Sequence, residues 1–346
     1  MNRYQTLNVA GYEEVVRCDN GEAGFAAWIA IHNTNRGPAL GGCRVWNYGS
    51  DDEAFFDVLR LSRGMTYKNS LARLPLGGGK CVVRVDLGQV DRAHLFKSVG
   101  EFVDTLGGRY ITAEDVNSTV EDMAHVQRST AHVATVGASG NPSPFTAYGV
   151  YCAIKAGILY TRSRKNLAGL RVAIQGVGET GARLARLLAS AGCTVVAADI
   201  SQERLNRLRS QVDAQVIDPA DIHRCRCDIF SPCAMGGTLN HKTIPELRCA
   251  LVAGSANNQL LNPSDGHLLD RLGILYIPDY AANAGGVINI SCEMDGDYDG
   301  VRARIRTARI GETVTEILHR SAATRMPTSV VADAMAEELF KLEKVA

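Results

Sequence analysis

The sequence predicts an α/β protein of two domains, the second built on a parallel, doubly wound sheet. Three observations carry this. The chain has 346 residues, more than twice an ordinary domain, so each half can build its own core. Strand-like and helix-like patterns alternate through the first third. In the second half a strand, a glycine turn, an amphipathic helix and another strand follow one another in "LRVAIQGVGETGARLARLLASAGCTVVAADI".

In chain order, "GFAAWIAIHN" and "KCVVRVDL" are apolar, rich in β-branched residues and bounded by turn formers, and read as strands. Between them, S-D-D-E at Ser50 is a capping box, and Ala54, Phe55, Val58, Leu59, Ser62 and Met65 follow along one helical face that runs toward Lys68. A second helix, "DRAHLFKSVGEFVDTL", places Leu95, Phe96, Val99, Phe102, Val103 and Leu106 on one side and stops at Gly107-Gly108. The short strand "RYITAED" ends in Glu114 and Asp115, at the strand end where function collects in α/β sheets. "GASGNPSPFT" (137–146) breaks the pattern and reads as the crossing into the second domain. After a helix at "AYGVYCAIKAGILY", further strands are expected at "CDIFSP", "CALVAGS" and "ILYIPDY", and a terminal helix from Pro327. The expected division is 1–136, rejoined by the helix at 327–346, and 137–326.

Composition narrows the partners. The 37 Lys and Arg balance 37 Asp and Glu, and the cations are scattered, which argues against nucleic acid or an anionic membrane and for a small molecule. The N-terminus has no signal-peptide core, and no stretch approaches the roughly eighteen apolar residues of a membrane span, so a cytoplasmic protein is expected. Ten cysteines without framework spacing suit reduced thiols. His223, Cys225, Cys227 and Cys233 invite a zinc reading, but C-x-C is not structural-site spacing and no second pair follows. Small apolar residues around a buried strand are the preferred account, and no metal is expected.

Gly176-Val177-Gly178-Glu179-Thr180-Gly181 matches G-x-G-x-x-G directly after a strand and at the start of a helix, and Asp199 ends the next strand eighteen residues beyond Gly181. The first glycine permits the tight turn, the second lets backbone approach a pyrophosphate, and the third lets helix and strand pack while the helix N-terminus faces the negative charge. Asp199 would accept from the ribose hydroxyls and repel a 2′-phosphate, which favours NAD over NADP, with Arg204 nearby as the opposing feature.

The stretch "MTYKNSLARLPLGGGKC" (65–81) poses a separate question. A phosphate-cradling G-x-x-x-x-G-K-[ST] loop fails at both ends, because Leu74 stands where the first glycine belongs and Cys81 where the hydroxyl belongs. Lys68, Lys80 and Asp115, arriving on separate loops, instead suit a small anion that needs binding and proton transfer. One lysine can pair with a carboxylate. The other can be a base only if its pKa falls, since at about 10.4 only about one amine in a few thousand is neutral near pH 7. A fall of about three units, needing roughly 4 kcal/mol, is within reach of burial and a second ammonium. The glycines before Lys80 would leave room for ligand beside the amine.

"ALGGCRVW", "LRLSRGMTYKNSLARLPLGGGK", "GRYITAEDV", "GNPSPFTAYGVY", "VAIQGVG", "AGSANNQL" and "PDYAANAGGVIN" run in order over nearly the whole chain. Together they resemble the amino acid dehydrogenases of the leucine, valine and phenylalanine type, the leucine type foremost. The resemblance implies reversible NAD-dependent oxidative deamination of an L-amino acid to a 2-oxo acid, ammonia and NADH. It also implies an N-terminal α/β substrate and oligomerisation domain, a Rossmann-type dinucleotide domain and an active site in the cleft between them. By the match to "MTYK", Lys68 pairs with the substrate carboxylate. By "GGGK", Lys80 is the general base, and by "AEDV", Asp115 exchanges protons with the substrate nitrogen. Gly41 and Gly42 line the site with backbone, and Asn258 lies near the nicotinamide.

The resemblance further implies a side-chain pocket of Leu40, Met65, Ala113, Val287 and Ile290. All are apolar, which disfavours glutamate, and Ala113 with the β-branched pair favours leucine, valine or isoleucine; the alternative is an aromatic enzyme for phenylalanine or tryptophan. The margin is thin, because one methylene is worth only about 1–3 kcal/mol. Cys43 and Gly79 depart from the leucine pattern, where threonine and alanine are usual, and either could shift the preference to a larger side chain. The chain lacks the longer tail with which leucine dehydrogenases form octamers, so a homodimer is expected. Competing readings are a hydroxy-acid dehydrogenase, which would offer a His–Arg pair, and a non-catalytic NAD-binding sensor or structural protein, which would lack a lysine or aspartate of the set.

Overall fold

The computed structural model describes residues 2–341 apart from 23, 87, 89, 135, 136, 138 and 139. They form two compact units, Met1–Gly140 with Glu293–Tyr298 and Ala336–Ala346, and Asn141–Cys292 with Asp299–Met335. Residue 136 and part of the crossing expected at 137–146 lie outside the described residues, as do the last five positions of the expected terminal helix.

The first unit is a mixed six-stranded sheet. Its strands are β1 (Arg3–Leu7), β2 (Glu14–Asn20), β3 (Phe25–Asn33), β4 (Ala39–Trp46), β5 (Gly77–Arg84) and β6 (Tyr110–Glu114), in the order β1-β2-β3-β5-β4-β6. β4 pairs in parallel with β5 and β6, and the other ladders are antiparallel. Side-chain alternation sorts the two faces. Cys43, Val45, Cys81 and Val83 enter the core with Leu95, Phe96, Val99, Phe102 and Val103 of α2 (Arg92–Asp104). Trp28, Ala30 and Val82 pack on the other face against Ala54, Val58 and Leu61 of α1 (Asp51–Leu71).

α1 begins as the sequence suggests. The Ser50 hydroxyl accepts from the Glu53 N–H at 3.2 Å, while the Glu53 carboxylate accepts from the Gly49 N–H at 2.9 Å, so the box closes one residue upstream of the cap. α2 stops at Gly107 and Gly108, both in the left-handed region. α3 (Val120–Gln127) opens on a reciprocal capping box between Thr119 and Asp122.

The second unit holds α4 (Ser143–Arg162) and a parallel sheet of β7 (Arg171–Gln175), β8 (Thr194–Ala198), β9 (Ala214–Val216), β10 (Ile229–Pro232), β11 (Leu251–Val252) and β12 (Leu275–Tyr276). The order β12-β11-β10-β7-β8-β9 is that of a doubly wound nucleotide-binding sheet, with its switch point between β7 and β10. α5 (Glu179–Ser190) and α6 (Gln202–Arg209) follow β7 and β8. The remaining helices are α7 (Pro263–Arg271), α8 (Asp279–Ala282), α9 (Gly285–Met294), α10 (Gly300–Ala308), α11 (Ile310–Thr324) and α12 (Thr328–Lys341). The chain leaves this unit inside helices: Glu293 and Met294 of α9, and α12 beyond Met335, belong to the first unit. Among the described residues, no helix is long and apolar enough to cross a membrane.

Candidate active site

Lys80 lies in the middle of β5 and Lys68 in the last turn of α1, not on loops as expected; Asp115 follows the last residue of β6. The Lys80 ammonium is 3.0 Å from Asp115 Oδ1, with side chains 5% and 18% exposed. Asp115 Oδ2 accepts from Arg44 Nε on β4 at 3.0 Å. Burial pushes the Lys80 pKa down; Asp115 works against that and Arg44 adds to it, and the net direction is downward. Burial alone would raise the Asp115 carboxyl, but Lys80 and Arg44 outweigh it and hold it well below the usual carboxylate range. The site therefore keeps a carboxylate beside an amine that gives up its proton more easily than an ordinary lysine.

Asp115 does not cap the helix that follows. Thr119 is the cap, and Ser118 Oγ accepts from the Asp115 N–H at 2.8 Å and donates to the Cys43 carbonyl at 2.7 Å. These bonds fix the backbone and leave the carboxylate for Lys80 and Arg44.

Gly77 and Gly78 pack against backbone and Gly79 against the Tyr110 ring; the expectation that these glycines leave room for ligand is corrected here. A Cβ at Gly78 would stand 2.0 Å from the Thr66 nitrogen, so the missing side chain lets α1 lie directly on β5 and carry Lys68 along the face that Lys80 shares. Gly79 points to the opposite face, where a Cβ would meet the Tyr110 ring at 2.7 Å, so it does not widen a pocket beside Lys80 for larger substrates. Gly41 and Gly42 are equally crowded: a Cβ on Gly41 would fall 1.8 Å from the Gly79 carbonyl oxygen, and one on Gly42 2.7 Å from Asp115 Cβ. Cys43 faces the α2 side, its Sγ 3.7 Å from Cys81 Sγ, and likewise lies off the Lys80 face.

Register places Leu40 opposite Gly78, and Ala113 opposite Gly42, on the face shared with Lys80. Leu40 and Ala113 are buried, and Met65 lies partly exposed on α1. Val287 and Ile290 sit one turn apart on α9 in the second unit, so the five pocket residues are not a property of either unit taken alone.

In the second unit, Gly176 turns the chain with φ 91° and donates to the Ala198 carbonyl at 2.7 Å. A Cβ on Gly181 would sit 2.1 Å from the Gly176 oxygen, whereas Gly178 faces open space, with only Arg204 Nη1 within 4 Å. Gly178 caps α5 without a side-chain acceptor, so the N–H groups that follow point outward for an anion. Asp199 accepts from the N–H groups of Val177 and Ser201, both at 2.8 Å, and lies 3.9 Å from Arg204. This turn fits a dinucleotide: Gly178 leaves open space at the N-terminus of α5, and the Asp199 carboxylate is fixed at the end of β8. A recess of about 380 Å³ beside it is lined by Val177, Gly178, Arg183, Arg204 and Arg207. Asn258 takes the left-handed conformation, its N–H donating to Asp279 Oδ2 at 2.9 Å.

His223 pairs with Glu246 at 2.6 Å, and Cys225 and Cys227 pack against the sheet core; among the described residues no three His, Cys, Asp or Glu side chains are grouped to hold a metal. Sequence reasoning missed Arg44, Asp57 and Tyr48 near the lysine and Asp279 beneath Asn258. The clue for Arg44 was its spacing, two residues beyond Gly42 on one strand.

Comparison with known proteins gives a consistent picture. Residues 8–132 match a family model described as Glu/Leu/Phe/Val dehydrogenase, dimerisation domain, and residues 198–337 match the model for glutamate/leucine/phenylalanine/valine dehydrogenase. The chain is 44% identical to a leucine dehydrogenase of Geobacillus stearothermophilus, over 100% of this chain and 95% of that protein. It is 41% identical to a phenylalanine dehydrogenase of Thermoactinomyces intermedius, over 98% and 94%. The crystal structure of L-tryptophan dehydrogenase from Nostoc punctiforme matches with a TM-score of 0.82 at 38% identity, over 97% of this chain and 98% of that one.

Proposed function

Since the chain belongs to the glutamate/leucine/phenylalanine/valine dehydrogenase family and is an amino acid dehydrogenase acting on the CH–NH2 group of its donor, we propose that it catalyses the reversible, NAD-dependent oxidative deamination of an apolar L-amino acid, branched-chain and leucine-like by preference. The observation that carries the mechanism is the buried Lys80–Asp115 contact of 3.0 Å.

NAD, when bound, takes up the hydride from the substrate Cα. It would be held by the turn of Gly176, Val177, Gly178 and Gly181, by Asp199 on the adenosine ribose, and by Asn258 at the nicotinamide end. In the first unit, Lys68 pairs with the substrate carboxylate and orients Cα. Asp115 removes a proton from the substrate ammonium and later returns one to the leaving nitrogen. Lys80, whose pKa burial lowers, takes a proton from the water that attacks the imino carbon. Substrate, water and NAD enter; 2-oxo acid, ammonium, NADH and one proton leave, the proton being the one Lys80 takes from water and then releases. Leu40, Met65 and Ala113 form the first unit's apolar wall, and with no cation among them a second substrate carboxylate would be buried unpaired. The working form is a homodimer formed through the first unit.

The test is NADH formation at alkaline pH with L-leucine, L-valine, L-isoleucine, L-phenylalanine, L-tryptophan and L-glutamate, repeated with NADP. Branched-chain turnover above the rest supports the whole reading. Turnover led by phenylalanine or tryptophan keeps the acid–base assignments and replaces the pocket argument with the aromatic alternative. Leading turnover of glutamate overturns the apolar assignment.

A further inference from the structure

Arg44 stands at the centre of a largely buried run of alternating charges, and the proposed mechanism gives no role to Arg44 or to Asp57 beside it. Its Nε donates to Asp115 at 3.0 Å and its Nη1 to Asp57 Oδ2 on α1, also at 3.0 Å; the same Asp57 oxygen accepts from the Tyr48 hydroxyl at 2.6 Å. The run Lys80, Asp115, Arg44, Asp57, Tyr48 thus joins β5, the end of β6, β4, α1 and the turn before α1. The guanidinium is only 18% exposed and Asp57 23%.

We propose that Arg44 is a positioning residue that fixes the Asp115 carboxylate and sets the pH range in which Lys80 is unprotonated, and that Asp57, hydrogen-bonded to Arg44, tunes that range in the opposite sense. The inference rests on the acid–base roles proposed above for Lys80 and Asp115. Its logic is charge alternation at short range. Asp115 alone would bind the Lys80 proton tightly, because a carboxylate 3.0 Å away in a buried site favours the ammonium. Arg44 cancels much of that pull and keeps Asp115 ionised after Lys80 has lost its proton. Asp57 in turn withdraws part of the Arg44 charge. The guanidinium fork suits this, since it serves two carboxylates from one planar group.

The surroundings agree. Burial works against the Arg44 charge, but Asp115 and Asp57 outweigh it and hold Arg44 firmly protonated; burial and the bond to Asp57 push the Tyr48 phenol up, so it remains a neutral donor. Other titratable groups near the pair among the described residues are Glu114, next to Asp115, and Cys43, Cys81 and Tyr110 on the far face; Lys68 lies in the last turn of α1. Burial and the Cys43 contact keep Cys81 protonated, and burial does the same for Tyr110.

The experiment is the pH profile of kcat/KM and kcat for oxidative deamination in Asp57→Asn, Arg44→Gln and Arg44→Lys, with NADH binding and thermal midpoints measured alongside. Asp57→Asn leaves the Arg44 charge uncompensated, so the acidic limb should move to lower pH by about half a unit or more. Arg44→Gln removes the charge and should move it to higher pH, while Arg44→Lys should bring it back toward the wild-type position. Opposite shifts from two neighbouring variants are not expected of a loss of packing, which would lower kcat without moving the limb. If Arg44→Gln does not fold, Asp57→Asn and Arg44→Lys still decide the matter. An unmoved limb, or shifts of the same sign, would overturn the proposal while leaving Lys80 as the base; full turnover in Lys80→Ala would overturn the base assignment and this proposal with it.

Discussion

Lys80 sits where burial and Arg44 push its proton off and Asp115 pulls it on, so small changes around it act on protonation rather than on shape. Replacing it by Ala should cut turnover by about 10²–10⁴-fold while NADH binding, followed by fluorescence, stays within a few-fold. Gly79→Ala should behave differently. The added methyl meets the Tyr110 ring at 2.7 Å in a packed core, so the variant should lose about 1–3 kcal/mol of stability, read from its denaturant midpoint, with its order of substrate preference unchanged. The two lysines and Asp115 were singled out by residue type and by the resemblance of the motifs that hold them, and the structure brings Lys80 and Asp115 into contact. Arg44 was not, because an arginine two positions after a glycine looks like any solvated cation until Asp115 and Asp57 are seen on either side of it. Gly79 was misread because proximity to Lys80 in sequence is opposition across a strand, where neighbours face opposite ways.

At the scale of elements, α1 depends on a half-buried imidazole. His32 on β3 shares a 2.9 Å hydrogen bond with Thr66 Oγ1 and lies edge-on to Tyr12 and Phe340. Burial first, and then Arg63, push its pKa down to about 4. The unfolded chain binds that proton near pH 6.5, so the stability from neutral His32 is complete above that value and is lost as the pH falls toward 4. Urea midpoints at pH 7 and pH 5 should differ by on the order of 1–2 kcal/mol more in the wild type than in His32→Gln. In the turn between β7 and α5 the charge proposed to discriminate NAD from NADP is Asp199, with Arg204 3.9 Å away. Asp199→Asn should raise the NADP-to-NAD ratio of kcat/KM by about tenfold, and adding Arg204→Ala should reverse part of the gain. The strand–glycine–helix pattern made this element readable. β4 was hidden by two adjacent glycines, which weaken any strand signal but here let β4 close on β5 and on the end of β6.

At the scale of the molecule, the doubly wound sheet followed directly from the sequence, whereas the order of the mixed sheet did not, since beyond the run β1-β2-β3 the next neighbour of β3 is β5 rather than β4, and β4 lies between β5 and β6, parallel to both. A balanced charge leaves assembly to apolar and strand-edge surfaces, and light scattering should give twice the chain mass if the homodimer proposal holds. Removing the first unit's share of α12, which includes the Glu337 that accepts from the Tyr67 hydroxyl at 2.8 Å, would strip a support from the last turn of α1 beside Lys68. The crowded glycines have a further consequence for anyone seeking a new substrate range by random mutagenesis. Gly41, Gly42 and Gly78 have neighbouring atoms where a side chain would begin, so codons randomised there will return mostly clones that fail to express. Leu40, Met65 and Ala113 already carry side chains on the Lys80 face and are where a small, focused library should spend its diversity.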